Sequence, residues 1–429
     1  MWLGVVLGQH SAVNLGICAA LLLGAGLARA GSTDISSSDI YSRARPEYDP
    51  AGVRTGSFFL YPSLTSGAGM NGNVFNDSSN AQDMFYSVNT GLKLQSAWSR
   101  HELAVAAQTS SVWFSEQVTE NRTDWDLSAR MRLDVMRGTE ISVDGHTARA
   151  HEARGTDVTG GLEAGDPAEP TAYSRNGFDV ELEHGFNRVR LSLGGGIAQF
   201  DFDDTPAVQP SVPLAINNDD RDQTTTVAFA KTAIEAWSDT AVFMRGTLST
   251  SDFIAEVDDG GFNRDSSELA VDGGLEFSFT NVLVGEVSAG YAQKSFDDPA
   301  FAAAAEVSVN VGLKWFPSML TTISVDASRS FEDTSVAAAP GFLSTRGGVG
   351  LDHELLRNLI LSGRVAYETN AYPGIERNDN IMKGSLSGRY LINNNLHLDA
   401  GWEFVDRNSS SLPFEYSTGQ FQFSLTGKM

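Results

Sequence analysis

The sequence predicts an all-β fold, a transmembrane antiparallel β-barrel of about eighteen strands, with sixteen as the neighbouring count. Three observations predict it. Polar and apolar residues alternate with a period of two from about residue 56 to Met429. Tight turns and long polar loops take turns in joining the alternating segments. Aromatic residues gather at both ends of those segments.

The alternation is plain in individual segments. Leu127, Ala129, Met131, Leu133 and Val135 form one face; Asp126, Ser128, Arg130, Arg132 and Asp134 form the other. Val307, Val309, Val311, Leu313 and Trp315 repeat the pattern against Glu306, Ser308, Asn310, Gly312 and Lys314. A period of two is a strand between two environments. Segment 223–237 is the least regular, because Lys231 and Glu235 share a face with Val227 and Phe229.

Punctuation sets the strand count. Short turns are expected at Ser99-Arg100, Arg137-Gly138, Gly185-Phe186-Asn187, Ser238-Asp239, Thr280-Asn281, Phe316-Pro317-Ser318, Leu356-Arg357-Asn358 and Asn393-Asn394. Long connections are expected near 71–83, 115–123, 151–172, 203–222, 256–266, 296–301, 331–341, 371–379 and 407–414. The two sets interleave, which makes nine hairpins and an even number of strands, as a closed single-chain barrel requires. Segments this long exceed the usual 5 to 6 residues of a soluble strand and suffice for the roughly 9 to 11 that cross a bilayer at a tilt. A propeller would need four short strands per repeat and a recurring motif; here only the architecture recurs.

A soluble sandwich also alternates, so the lipid assignment rests on chemistry. Trp98, Phe186, Trp237, Phe279, Trp315 and Tyr390 lie beside the short turns. Trp113, Trp125, Phe178, Tyr291, Tyr367, Trp402 and Phe404 lie toward the long loops. Amphipathic rings belong at the two membrane interfaces. The apolar face is built of Val, Leu, Ala and Gly, which suits lipid; the opposite face carries charges of both signs.

The ends of the chain fit that location. Met1–Ala30 is apolar, closes on Ala28-Arg29-Ala30 and reads as a signal peptide cleaved near Ala30. Gly31–Thr55 reads as a flexible periplasmic leader, and residues 56–429 as the barrel. At the other end Phe421, Phe423, Leu425 and Met429 share a face opposite Gln420, Gln422, Ser424, Thr426 and Lys428. Such a terminal strand is what the barrel-assembly machinery reads in outer-membrane proteins.

Composition excludes several functions. A formal net charge of -24 argues against nucleic acid as a partner. The single cysteine, Cys18, lies inside the expected signal, so a mature chain has neither disulfides nor thiolate metal sites. No H-E-x-x-H spacing and no G-x-S-x-G elbow occurs among 429 residues. No catalytic, cofactor-binding or metal residue is therefore assigned, and the chain is not expected to be an enzyme. His101, His184, His353 and His397 fall near short turns and read as solvated rim residues. Gly194-Gly195-Gly196, inside a strand, reads as a close approach or bend. Asp203-Asp204, Asp219-Asp220-Asp222 and Asp258-Asp259 read as solvated loop acids that could meet divalent ions or lipopolysaccharide phosphates.

A resemblance can be named on particular residues. Tyr48-Asp49-Pro50-Ala51-Gly52-Val53-Arg54, then Gly56-Ser57-Phe58 and Leu60-Tyr61-Pro62-Ser63-Leu64, leading to Gly67-Ala68-Gly69 and Asn73-Val74-Phe75, resembles the opening segment of the putative β-barrel porin 2 family. The resemblance covers roughly residues 45 to 429. It implies an outer-membrane barrel of Gram-negative bacteria without catalytic residues. Members are often associated with exopolysaccharide gene clusters, which implies a link to polysaccharide export and its components.

The functional candidates are then the charges on the wet face: Asp126, Arg130, Arg132, Asp134, Asp179, Glu181, Arg188, Arg190, Arg245, Asp272, Glu276, Glu306, Asp326, Arg364, Arg389, Asp399 and Glu403. Rings of such charge set the selectivity of a water-filled pore. The expected function is passive passage of polar solutes through that pore. The alternative is a non-conducting docking barrel of an envelope machine; a barrel hydrolase is the third.

Overall fold

The computed structural model describes residues 39–41, 43–155, 166–209, 214–280, 282–334, 336, 339–411 and 414–429; the expected signal peptide, Met1–Ala30, lies outside them. In chain order the strands are β1 Val53–Thr55, β2 Phe58–Asn71, β3 Asp83–Ser96, β4 Glu102–Phe114, β5 Arg122–Met136, β6 Thr139–His151, β7 Ala172–Phe186 and β8 Val189–Phe202. The short pair β9 Thr205–Pro206 and β10 Ala215–Ile216 follows. Then come β11 Gln223–Trp237, β12 Thr240–Phe253, β13 Ser266–Phe279, β14 Leu283–Phe296, β15 Ala304–Ser318, β16 Thr321–Glu332 and β17 Phe342–Leu356. The last are β18 Leu359–Tyr372, β19 Arg377–Leu391, β20 Leu396–Ser409 and β21 Tyr416–Lys428.

Eighteen of these, β2–β8 and β11–β21, form the wall, each antiparallel to its chain neighbours. The ring closes where β21 pairs with β2, from Ser63 opposite Lys428 to Asn71 opposite Gln420. Closure leaves no open sheet edge, as lipid requires. β1 pairs with the stretch of β2 that β21 does not reach, Val53 opposite Leu60 through Thr55 opposite Phe58. β9 and β10 form a small ladder inside the β8–β11 connection.

The convex face is apolar. Leu127, Val180, Leu193, Met244, Leu269, Val307, Val365 and Phe423 are all exposed on it. Of the thirteen aromatic residues assigned to the two girdles, twelve are exposed and Phe404 is half-buried. The concave face holds the polar set. Lys231 on β11 reaches Glu286 on β14 at 3.1 Å, past two intervening strands. Only a contact across the inside of the curve can do that.

Two expected turns lie elsewhere. β7 continues through Phe186, so its turn is Asn187-Arg188, with Asn187 at φ 54. β15 continues through Ser318 and turns at Met319-Leu320, with a register shift between Trp315 and Ser318. Pro317 lies within that irregular stretch, where its missing N–H breaks no ladder bond. The expected long connection at 371–379 shrinks to residues 373–376, because β18 and β19 pair up to Tyr372 and Arg377.

The concave face is packed in places as well as polar. Val74, Phe85, Val112 and Phe114 form one buried cluster. Ala339, Phe342 and Tyr372, with Val336 and Ile375 against them, form another. Three inward phenylalanines each stand directly across the ladder from a glycine: Phe85 from Gly69, Phe229 from Gly194 and Phe243 from Gly274. The ring occupies the space a Cβ would take. The Gly194–Gly196 run is thus a close approach of side chains, Phe229 over Gly194 and the Asp179 carboxylate over Gly196.

Candidate functional site in the barrel lumen

Strand register decides which charges face inward. Arg130 is opposite Asp144 on β6, Asp144 is opposite Asp179 on β7, and Glu181 is opposite Gly194 on β8. Carried round the ring, this parity puts every candidate on the inner face except Arg188. That residue stands exposed in the turn after β7, because the strand runs on past the expected turn.

One arc of the wall, β8 to β15, carries its charges as a connected network. Arg190 and Lys231 both bind Glu276; Lys231 also binds Glu286 at 3.1 Å. Arg245 lies 4.0 Å from Glu286 and 3.5 Å from Asp272, which accepts the Ser308 hydroxyl at 2.6 Å. The Lys231 ammonium also sits 3.9 Å from the centre of the Phe243 ring. The Lys231 side chain is 2% exposed and that of Arg245 8%. Cations and carboxylates alternate and cancel, so this arc braces the wall. Lys231 and Glu286 were not among the candidates; the mixed face that made segment 223–237 irregular was the signal for Lys231.

The neighbouring arc, β5 to β7, is wetter and unbalanced. Eight carboxylates face inward, Asp124, Asp126, Asp134, Glu140, Asp144, Asp179, Glu181 and Glu183, against the guanidiniums of Arg122, Arg130, Arg132 and Arg175. Arg130 pairs with Asp144; Arg132 lies 3.2 Å from Asp134, 3.4 Å from Glu140 and 3.7 Å from Glu102. Side chains in these pairs are between 24% and 38% exposed. Asp126, Asp179 and Glu181 make no salt bridge among the described residues. At the short-turn end of this arc a cavity of about 550 Å³ is lined by Arg100, Asp134, Thr139, Glu140 and Glu183.

The remaining candidates are dispersed. Arg389 donates to Asp399 at 2.6 Å, and His397 lies 3.2 Å from the same carboxylate. His397 is 4% exposed, so it is a buried partner of Asp399 and not a solvated rim residue. Glu306 meets Arg329 at 3.2 Å; Asp326 lies 3.9 Å from Arg346. Arg364 is exposed to the lumen, and neither it nor Glu403 makes a salt bridge among the described residues.

Both mouths contain chain that folds inward. At the long-loop end, buried arginines tie loops together. Arg154 binds Glu120 at 2.6 Å and the Pro167 carbonyl. Arg407 of β20 reaches Asp379 at 2.6 Å and the Gly155 carbonyl beyond β6. Arg221 binds Glu152 at 2.5 Å, and Arg264 donates to the carbonyls of Thr334 and Ala339. The loop acids serve the same bracing. Asp203 pairs with Arg149, Asp222 accepts the Phe202 amide at 2.7 Å, and Asp258 holds Arg264 at 2.7 Å. Burial pushes the Asp220 and Asp222 carboxyls up from their usual range. Among the described residues no group of three His, Cys, Asp or Glu could hold a metal ion. At the short-turn end, the leader is held against the wall: its Arg45 lies 2.9 Å from Glu354, and Ile40 is fully buried.

This two-faced eighteen-strand cylinder has a counterpart in sequence. The profile described as putative beta-barrel porin 2 matches residues 45–429. The chain belongs to that family. It is a porin-like outer-membrane barrel. Among solved structures, this porin is similar to OpdL of Pseudomonas aeruginosa, at 10% identity over 87% of this chain and 99% of that one, TM-score 0.44. It is also similar to OccK2 of Pseudomonas aeruginosa in complex with glucuronate, at 8% identity over 86% and 98%, TM-score 0.45. A BenF-like porin from Pseudomonas fluorescens matches at 12% identity over 86% and 99%, TM-score 0.43. No curated protein matches this porin.

Proposed function

We propose that this barrel is a passive, cation-favouring channel for polar solutes, with its short turns in the periplasm and its long loops outside the cell. The observation that carries this reading is the wet acidic arc β5–β7. Carboxylates that outnumber guanidiniums on a concave wall draw cations into the water beside them. The apolar convex face keeps that water apart from lipid. The family link to exopolysaccharide clusters extends the solute class to a polysaccharide or its fragments, delivered by export components. The acidic outer loops would meet lipopolysaccharide phosphates through divalent ions. The alternating strand β21 would be the feature read during insertion by the assembly machinery.

A docking barrel with a closed lumen is the second reading, favoured by the inward-folded chain at both mouths. Planar-bilayer recording separates the two. The channel reading expects discrete conductance steps and, under a KCl gradient, a reversal potential on the cation side. A well-folded preparation without single-channel events would leave only the docking barrel.

A further inference from the structure

The leader forms a strap along the inner rim of the short-turn mouth. Asp39 accepts Lys314 of β15 at 2.6 Å. The Ile40 amide lies 3.4 Å from Thr322 Oγ1 of β16, and its side chain is fully buried. Arg43 and Arg45 both bind Glu354 of β17, and Arg43 also donates to the Met319 carbonyl. The Tyr41 hydroxyl is 2.8 Å from Ser362 Oγ of β18, and its ring lies 5.5 Å from the Arg389 guanidinium of β19. Five consecutive strands therefore contribute one inward residue each, all within five positions of a short turn. Past Asp49 the chain leads into β1 beside β2. The strap thus covers the arc from β15 round to the closing seam.

Its attachment differs in kind from that of a wall strand. A wall strand is held by a continuous backbone ladder on both sides. Among the described residues the strap is held by side chains, with a single backbone amide bonded to the wall, at Ile40. One of its clasps, Asp39–Lys314, is an ion pair open to water, with Lys314 45% exposed, whereas the two pairs on Glu354 are largely buried. Water and salt weaken the open pair. Detaching the strap breaks no rung of the barrel.

We propose that this strap is the gate of the channel. Seated, it narrows the periplasmic mouth, covers Glu354 and Arg389 and engages Lys314. Released, it widens the mouth and returns those charges to the solute path. The proposal rests on the channel reading above. It is tested in the full-length barrel with Cys18→Ser, joining the strap to the wall by a disulfide between Ile40→Cys and Thr322→Cys. Release is tested in the separate variant Arg43→Ala with Arg45→Ala. The locked barrel should conduct in its low state without flicker, and reduction should restore the wild-type pattern. The release variant should show at least a 1.5-fold higher single-channel conductance. Equal conductance in locked, reduced and release forms would overturn the gate. If no form conducts, the channel reading fails by itself. A bulky maleimide applied to the Ile40→Cys single variant then decides whether the strap moves: reaction in the folded barrel supports a strap that opens, and protection until denaturation overturns it.

Discussion

The two neighbouring arcs of the lumen wall carry similar residue types to opposite ends. In β8–β15, Lys231 and Arg245 are nearly inaccessible, and each is flanked by carboxylates. In β5–β7, the paired side chains are about a third exposed and carboxylates are in excess. A buried charge is committed to its partner, because leaving it alone costs several kcal/mol. A wet charge is screened by water and remains available to a passing ion. Composition alone does not separate bracing from selectivity; burial and pairing do.

Breaking the paired arc should have the largest effect. Lys231→Ala removes the buried cation between the half-buried Glu276 and Glu286, leaves them only Arg190 and Arg245, and should cost about 1–3 kcal/mol of stability. The check is the temperature at which the folded band in a detergent gel converts to the unfolded one. Next comes the acidic arc. Asp126→Asn, Asp179→Asn and Glu181→Gln together should lower the local potential by roughly one kT. That is about a two- to threefold fall in the cation-to-anion permeability ratio, read from reversal potentials, with the gel transition unmoved. Salt sharpens the contrast: at about 1 M the Debye length is roughly 3 Å, so the selectivity change should fade while the Lys231→Ala loss persists. Arg132→Ala should act with the opposite sign, freeing Glu102, Asp134 and Glu140 and raising cation preference by less than about twofold. Arg364→Ala, removing one exposed cation outside both arcs, should raise it least. An Arg364→Ala effect larger than that of the triple variant would contradict the assignment of selectivity to β5–β7.

Much of this was legible in the residues. Period-two alternation placed the wall strands, because each borders lipid on one side and water on the other. The girdle aromatics are exposed where expected, since their rings need the interface. The sequence failed where the inner face stopped behaving as water. Phe229 and Phe243 point inward, so the rule that apolar means lipid broke at β11 and β12, and Lys231 went unassigned. The leader looked unstructured because its order comes from wall residues about 275 to 320 positions away, such as Lys314 and Ser362. Asp203 looked solvated because its partner, Arg149, is contributed by another stretch of chain. Long-range side-chain contacts leave no local periodicity to read.

The glycine–phenylalanine pairs have a consequence for how the wall is assembled. A pattern of period two cannot distinguish a correct hairpin from one slipped by two residues, since every side chain keeps its face. Phe243 can. Opposite Gly274 its ring has room; shifted two places along β13 it would press on Asp272 or Glu276. Each such pair is a key cut for one tooth of the ladder. The lumen charges meet their partners only because neighbouring strands stop at that tooth.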